Sequence, residues 1–498
     1  MNKTVFSKPL LWAVLGLYIV VAGYAMFHHE FWGDELQAWN IAKGSSSFFD
    51  VIHNTRYEGH PPVWYIILWI ISKFTHNLIY VQAVHLLIAI LIVFTILFYS
   101  PLPTITKILL PFGYYFLFEY AILSRNYAIG VLAAFLICII INKKFRYKPV
   151  VYYTLLFIMS NTHLFAMLLA GSLHLYFLMS NVEKKKITSL FLHISLGILV
   201  FLPAVYFIYP PSDATADMKV LFGYWDIRQL SIAVQSPFRA FIPVPAWWKY
   251  NFWNTQFLFE LHSTYKASKI IDPLVSFGII GLAYYILRKN KKSTLLFTAN
   301  LAATFIVGNI YVLTPQRYCG FIFIGFVAAY WLYCYENPVE KTKAAIVNVI
   351  LFFELLAGVF MIYKDINLPF SNGYKAKELV NKISPGEKVI TDYLTFNTIS
   401  SSIEVPFYCV DIQKKVPFLL WGSYHQMFIT PNRYSAGFTY FFQKEGIKTV
   451  YLISTLSPSL LVKVDSKLFL SFNIQLVDKV EGAIEKESNL YLYKISMQ

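Results

Sequence analysis

The segment FWGDELQAWNIAKG (residues 31–44) places two adjacent acids, Asp34 and Glu35, shortly after a long apolar run. It is followed by EGHPPVWYIILW (residues 58–69), in which paired prolines open the next apolar run. The acidic segment has the pattern of a short amphipathic helix, and proline is favoured at the first turn of a helix. Adjacent residues of a helix point about 100° apart, so both acids cannot face one ligand equally. We expect one acid to act chemically while its neighbour braces the site, unless both only complement the helix dipole.

The composition indicates a membrane protein. The chain has 498 residues, of which 57% are hydrophobic and 14% are charged. Long apolar runs recur from residue 10 to residue 363, which is typical of a polytopic helical membrane protein. The net charge of +15 comes largely from Lys and Arg in short loops between these runs. This pattern is expected of cytoplasmic loops and argues against a nucleic-acid partner. The four cysteines form no close pair, so we expect no disulfide.

The charge pattern also predicts a topology. We place four basic loops in the cytoplasm because Lys and Arg accumulate on that side, and the N-terminus lies there too. The tail after residue 363 is then external, and about 11 to 13 spans are predicted. Four apolar pieces between residues 61 and 141 must cross an odd number of times, so one of them does not span independently. The basic loops are 143–148, 183–188, 288–292 and 339–343, and the four apolar pieces are 61–74, 78–99, 105–118 and 120–141.

Two domains are predicted. Residues 1–363 form the membrane domain, with external loops at 28–60 and 210–269, and residues 364–498 form an external domain. The predicted fold class is mainly α, a polytopic transmembrane helical bundle followed by a small α/β domain.

The tail and the long loop carry two further patterns. In the tail, short apolar strands such as 388–393 and 447–454 alternate with amphipathic helices such as 436–446. No Gly-rich loop precedes a helix there, so no nucleotide-binding fingerprint is present. We interpret the aromatic loop segment 243–257 as an interfacial helix. Stacking on sugars or covering a lipid donor is the alternative.

The motifs GDELQAWNIA (residues 33–42) and EGHPPVWYIILW (residues 58–69) resemble those of the polytopic glycosyltransferases of the GT-C fold. That fold includes the protein O-mannosyltransferases and the lipid A aminoarabinose transferases. The resemblance implies transfer of a sugar from a polyprenyl-phosphate donor to a lipid, glycan or protein acceptor, with inversion at the anomeric carbon. It places the reaction on the external face of a bacterial inner membrane. It also implies that Asp34 deprotonates the acceptor hydroxyl, with Glu35 as the second choice or as a residue that orients the acceptor.

Cations on the external side would have to stabilise the charge of the leaving lipid phosphate. Arg125 begins an apolar run six residues after Glu119, and Arg317 heads another run. An arginine beside a membrane helix is costly and is functional by default. The alternatives are a structural Arg125–Glu119 pair or snorkelling to the interface. Further candidates for binding the substrate or its phosphate are Arg56, Glu58, His60 and His163.

These further candidates also have simpler interpretations. In these interpretations Glu58 forms an ion pair with Arg56, and His60 caps a helix or packs on Trp64. His163 makes hydrogen bonds within the protein and has no further role.

We expect no metal and no cofactor. A divalent metal would have Asp34, Glu35, Glu58 and His60 as ligands, but their spacing matches no standard metal pattern.

Three other functions compete with transfer. A flippase or transporter of lipid-linked sugar would carry charges in mid-span and an inverted repeat. A polymerase or ligase of surface polysaccharide would share the chemistry and differ in the length of the donor. A membrane-anchored binding module ranks last, because so many spans exceed what an anchor needs. In the preferred reading the partners are the lipid-linked donor, the acceptor and the lipid bilayer.

Overall fold

The computed structural model describes residues 8–181, 187–214, 227–261, 268–308, 315–422 and 432–498. Most of the predicted basic loop 183–188 and two parts of the predicted external loop, 215–226 and 262–267, lie outside these residues.

The described residues up to Asn367 are mainly helical. Among the described residues, six helices are long and apolar enough to cross a membrane, judged by length and composition. They agree with a multi-pass membrane protein, whereas the number of 11 to 13 spans stays a prediction. The six are Lys8–His28, Ile79–Tyr99, Ile187–Ile208, Ser268–Leu287, Gln316–Glu336 and Lys341–Asn367. Shorter apolar helices are Val63–Phe74, Tyr127–Ile141, Lys148–Ser160 and Leu164–Asn181. The other helices of this part are Gly33–Gly44, Phe48–Thr55, Thr104–Leu109, Ile227–Phe241, Phe257–Glu260 and Lys291–Gly308.

The predicted apolar piece 105–118 is not one continuous helix. It consists of an α-helix Thr104–Leu109, a 3-10 turn Leu110–Phe112 and a π-helical turn Tyr115–Glu119. A helix of six residues is about 9 Å long, far less than the roughly 30 Å of a bilayer core. Irregular backbone is tolerated at membrane depth only inside protein, and the segment 114–128 is buried throughout.

Burial separates the central helices from the peripheral ones. The helix Gln316–Glu336 is buried along most of its length and forms the middle of the main hydrophobic core. The helix Ile187–Ile208 instead exposes large apolar side chains, among them Phe191 and Leu199. An apolar surface of this kind is expected to face lipid.

The C-terminal part is a small α/β domain, as predicted. Its described residues, 368–422 and 432–498, form six strands, ordered β3-β2-β1-β4-β6-β5 across one sheet. The pairs β1–β2 and β1–β4 are parallel, and the other three pairs are antiparallel. The strands are β1 (Val389–Thr391), β2 (Phe407–Cys409), β3 (Lys414–Val416), β4 (Thr449–Ser454), β5 (Phe472–Val480) and β6 (Leu490–Met497). The α-helices are Ala376–Val380, Thr395–Ile399, Arg433–Glu445, Pro458–Val464 and Leu468–Ser471, and 3-10 turns cover Gly373–Lys375 and Lys486–Ser488.

Apolar side chains cover both faces of this sheet. On one face, Phe438 and Phe442 of the helix Arg433–Glu445 pack with Val450 and Leu452 of β4 and Ile495 of β6. A second apolar cluster joins the helices Ala376–Val380 and Thr395–Ile399 to β4 and β6. Helices on both faces of a partly parallel sheet leave the carboxyl ends of the parallel strands as an open edge.

That edge rests on the helix Gly33–Gly44. Asn397 Nδ2 donates a 2.7 Å hydrogen bond to Gln37 Oε1, and Gln37 Nε2 donates to the Leu419 carbonyl at 3.0 Å. The ring of Phe418 lies against Gly44 at the other end of the helix and leaves no room for a Cβ there. These contacts hold the α/β domain along the helix, with the acidic first turn beneath it.

Candidate functional site

The Asp34 carboxylate lies at the start of the helix Gly33–Gly44 and faces two arginines. Its Oδ2 is 3.4 Å from Arg317 Nη2 and 3.7 Å from Arg125 Nη2. Arg125 Nη1 also donates to the backbone carbonyl of Asp34. The Asp34 side chain remains 42% exposed, whereas those of Arg125 and Arg317 are 8% and 11% exposed. An accessible carboxylate therefore sits against two enclosed guanidinium groups.

Aromatic rings enclose the Arg317 guanidinium. Its central carbon lies 5.2 Å from the Trp32 ring centre, 5.7 Å from Trp253 and 5.2 Å from Tyr318. Arg125 shares the Trp32 ring at 5.9 Å. Ring faces attract cations most strongly when water is excluded, so the rings hold both charges at one place. Arg125 pairs with Asp34, so the alternative interpretation of Arg125 as the structural partner of Glu119 does not describe the structure.

Glu35 points away from the cavity and is buried. Its Oε2 accepts the backbone N–H of Trp32 at 3.1 Å and lies 3.1 Å from His29 Nε2, while its Oε1 accepts the Ser124 N–H at 2.5 Å. Asp365 binds the other ring nitrogen of His29 at 3.1 Å. Burial opposes a charge on His29, but the carboxylates of Asp365 and Glu35 raise its pKa well above its usual value. Glu35 thus fixes the segment that carries Arg125, which is the bracing role expected for one of the two acids.

Replacing Glu35 by alanine is expected to destabilise the fold. The change leaves His29 and the Ser124 N–H buried with fewer partners, and breaking a buried ion pair costs about 3–5 kcal/mol. Thermal unfolding of the purified chain in detergent measures this, with exposed Glu404→Ala as the matched control. An unfolding temperature equal to that of the wild type would contradict the bracing role of Glu35.

His60 and His163 form a second part of the site. Their ring centres are 5.2 Å apart, and His163 also packs 4.5 Å from Tyr127 and 5.7 Å from Tyr318. Burial, reinforced by the charges of Arg125 and Arg317, lowers the pKa of His60 to about 3. A neutral His60 can donate or accept a hydrogen bond without adding charge.

Several buried polar atoms around this part have no hydrogen-bond partner among the described residues. They are Trp32 Nε1, His60 Nδ1, Trp64 Nε1, Tyr127 Oη and Arg317 Nε. Buried polar groups are nearly always paired, so such a group of atoms is expected where a ligand binds. Most of them are hydrogen-bond donors, which suits an anionic ligand.

Glu58 lies beside this cluster and is not paired with Arg56. Gln37 Nε2 donates to Glu58 Oε1 at 2.8 Å, and the Tyr65 hydroxyl donates to Glu58 Oε2 at 3.3 Å. Burial raises the pKa of Glu58 to about 7. Arg56 instead stacks 3.6 Å over the ring of Tyr206 and donates to backbone carbonyls of the helix Ile187–Ile208 and its end. The structure thus separates Arg56 from the other predicted site residues.

The raised pKa of Glu58 predicts a pH dependence of stability. Between its unfolded value near 4.5 and about 7, the folded chain binds this proton more tightly than the unfolded chain. The free energy of unfolding should therefore fall as the pH rises from about 5 to about 7, by on the order of 2–3 kcal/mol. Glu58→Gln removes this part of the slope. Unfolding curves of the wild type and Glu58→Gln at pH 5 and pH 7.5 test this prediction. An equal change in the free energy of unfolding in both proteins would refute it.

A cavity of about 400 Å³ opens over Asp34. Its floor comes from the helical part and its walls from the C-terminal domain, so neither part forms it alone. The floor is Trp32, Gly33 and Asp34, and the walls are Tyr393, Leu394, Asn397, Thr398, Leu419, Trp421, Thr455, Leu456, Leu460 and 485–488.

The aromatic and C-terminal parts of this site were not predicted from the sequence. Trp32 lies within the quoted motif, but nothing in its spacing indicates contact with two distant arginines. Trp253 belongs to the aromatic segment 243–257, and the predicted interfacial helix is wrong for residues 243–256, which form turns and irregular backbone. Trp253 points inward, where its Nε1 donates to Glu119 Oε2 at 3.2 Å. The density of tryptophan in that segment was the available signal.

No group of three or more His, Cys, Asp or Glu side chains that could hold a metal occurs in the part of the chain that the structure describes. The absence of a metal from this protein stays a prediction. Comparison with protein-family models, with curated proteins and with solved structures finds no match for this chain.

Proposed function

We propose that this chain is a membrane glycosyltransferase of the GT-C type. It would transfer a sugar from a polyprenyl-phosphate donor to an acceptor at the outer surface of a bacterial inner membrane. The observation that carries the proposal is the accessible Asp34 carboxylate held against the enclosed Arg125 and Arg317 beneath a cavity. The predicted GT-C motif at residues 33–42 supports the same assignment.

The two arginines suit the phosphate of the donor. A guanidinium presents several N–H groups in a fixed fork that matches phosphate oxygens. Arg317 Nε and the Trp32 indole N–H lack partners within the described structure and are available to such a group. Neutral His60 and the Tyr127 hydroxyl add donors without repelling the arginines. These groups would stabilise the charge that develops on the leaving phosphate.

Asp34 suits the acceptor. In the proposed reaction the acceptor oxygen attacks the anomeric carbon, and its proton passes to the Asp34 carboxylate. The bond between that carbon and the phosphate oxygen breaks, and the electron pair leaves with polyprenyl phosphate. Attack from the face opposite the leaving group inverts the configuration. Phosphate binding would also compete with Asp34 for the guanidinium groups and so release its carboxylate to act as a base.

Incubation of the wild-type protein with a panel of polyprenyl-phosphate sugars tests the proposal. Release of polyprenyl phosphate from one donor is expected, slow without an acceptor and faster with one. A panel that yields neither bound nor cleaved donor would reject the transferase.

Transport of a lipid-linked sugar is the second candidate, and one observation favours it. Glu354 is fully buried in the middle of the apolar helix Lys341–Asn367. Ionisable residues inside membrane helices are a recurring feature of transport pathways. Movement of a labelled polyprenyl-linked sugar across reconstituted vesicles, abolished by Glu354→Gln and without cleavage, would favour this candidate.

A further inference from the structure

The cavity over Asp34 lies at the carboxyl ends of the parallel strands of the C-terminal domain. Tyr393 and Leu394 follow β1, and Thr455 and Leu456 follow β4, its parallel neighbour. In open α/β sheets, ligands bind in the crevice outside the carboxyl ends of the strands. The binding edge of this domain therefore faces the carboxylate of the helical part.

Buried acids fix the geometry of this edge. Asp392, directly after β1, accepts the Thr395 N–H at 2.9 Å and a hydrogen bond from the Ser454 hydroxyl at the end of β4. Asp411, after β2, accepts the Tyr393 N–H at 2.9 Å. These bonds fix the carboxyl ends of β1, β2 and β4, so the crevice is formed before a ligand binds.

Side chains of the crevice combine aromatic faces with hydroxyl, amide and carboxyl groups. Trp421 is 36% exposed, and its ring centre lies 5.9 Å from that of Tyr393. Polar groups come from Asn397 and Thr398 on one side and from Glu485 and Glu487 on another. Flat apolar faces with a few converging polar groups match sugar rings, whose C–H faces are apolar and whose edges carry hydroxyls.

The charged residues of the cavity wall indicate the charge of the ligand. The wall 485–488 carries two acids, Glu485 and Glu487, and one base, Lys486. Burial raises the pKa of Glu485 to about 7, so near neutral pH this carboxyl can both donate and accept a hydrogen bond. Because Glu485 is partly protonated near neutral pH, Lys486 largely balances Glu487, and a wall with little net charge suits a neutral ligand.

We infer that the C-terminal domain supplies the acceptor site and that the acceptor is a neutral glycan, held between Trp421 and the wall 485–488 with a hydroxyl at Asp34. This inference rests on the proposed transferase function. The volume of about 400 Å³ is within the range of small-molecule sites and leaves room for a short stretch of glycan at a time.

Binding of short oligosaccharides to the full-length protein tests the inference. The probes are neutral oligomers of glucose, mannose and N-acetylglucosamine, with oligogalacturonate as the anionic comparison. The protein is kept in a detergent without a sugar headgroup, and binding is measured by calorimetry and by saturation-transfer NMR. We expect one neutral series to bind, at least tenfold more tightly than oligogalacturonate.

Variants locate the site. Trp421→Ala should weaken binding of that series at least tenfold, whereas Tyr440→Ala, which removes an exposed ring of the same domain outside the cavity, should leave it unchanged. Glu487→Gln should reduce the preference over oligogalacturonate several-fold, and Glu404→Gln should not.

Three results would overturn this inference and leave the proposed function intact. They are donor cleavage without binding of any neutral glycan, tighter binding of the anionic series, and donor cleavage that a peptide accelerates and a glycan does not. Absence of donor cleavage by the wild type would instead reject the proposed function.

Discussion

Asp34→Asn is expected to lower the rate of sugar transfer by about 10²- to 10⁴-fold, the contribution typical of a positioned general base. Asparagine keeps the size of the side chain but cannot accept the proton of the attacking hydroxyl. Since Asp34 is 42% exposed and lies at the surface of the cavity, the change should alter chemistry more than folding. Transfer of labelled sugar at saturating donor and acceptor measures the effect as kcat.

Asp478→Asn serves as the matched control. Asp478 lies on the outer strand β5 and pairs with Lys382 at the surface, where ion pairs contribute little. Its transfer rate should equal that of the wild type. A rate for Asp34→Asn above one third of the wild-type rate would mean that another group accepts the proton.

Arg317→Gln is expected to lower kcat/KM for the donor by roughly 30- to 1,000-fold, equivalent to about 2–4 kcal/mol. Trp32, Trp253 and Tyr318 hold the guanidinium in place without a ligand, so it needs no rearrangement to bind the phosphate. Arg317→Lys keeps the charge but loses the planar fork, and its kcat/KM should lie between those of the wild type and Arg317→Gln. Donor titrations of the transfer rate, together with direct binding of polyprenyl phosphate, measure the effect.

Arg146→Gln is the control for this series. Arg146 is exposed in a predicted basic loop and stacks on its neighbour Tyr147. The unfolding temperature of each variant separates lost binding from lost folding, because Arg317 also pairs with Asp34. Unchanged binding of polyprenyl phosphate by a folded Arg317→Gln protein would remove the arginine from the phosphate site.

Much of the fold could be predicted from local pattern. The long apolar runs predicted the helices Lys8–His28 and Ile79–Tyr99 to within a few residues, because burial in lipid requires an unbroken apolar stretch. The predicted strands 388–393 and 447–454 correspond to β1 and β4. The pattern did not indicate the short edge strands β2 and β3, whose three residues each are too few to show a period.

The different roles of Asp34 and Glu35 could be predicted only in part. Helical geometry required Asp34 and Glu35 to face different directions. Which one faces outward depends on Ser124 and His29, since their groups bind Glu35. The sequence did not indicate these partners, because the segment carrying Ser124 is irregular backbone whose path is fixed by the helices around it.

Composition and local pattern were enough to predict the apolar helical part, the α/β tail, the acidic motif and the candidate arginines. The packing of distant elements is what brings Arg125 and Arg317, which lie 91 and 283 residues from Asp34 along the chain, to its carboxylate. It also decided that the C-terminal domain closes the cavity through contacts such as Asn397 with Gln37. Hydropathy and periodicity reflect neighbours within a few turns of chain. Ion pairs and cavity walls depend instead on how distant elements pack, and no local pattern encodes that.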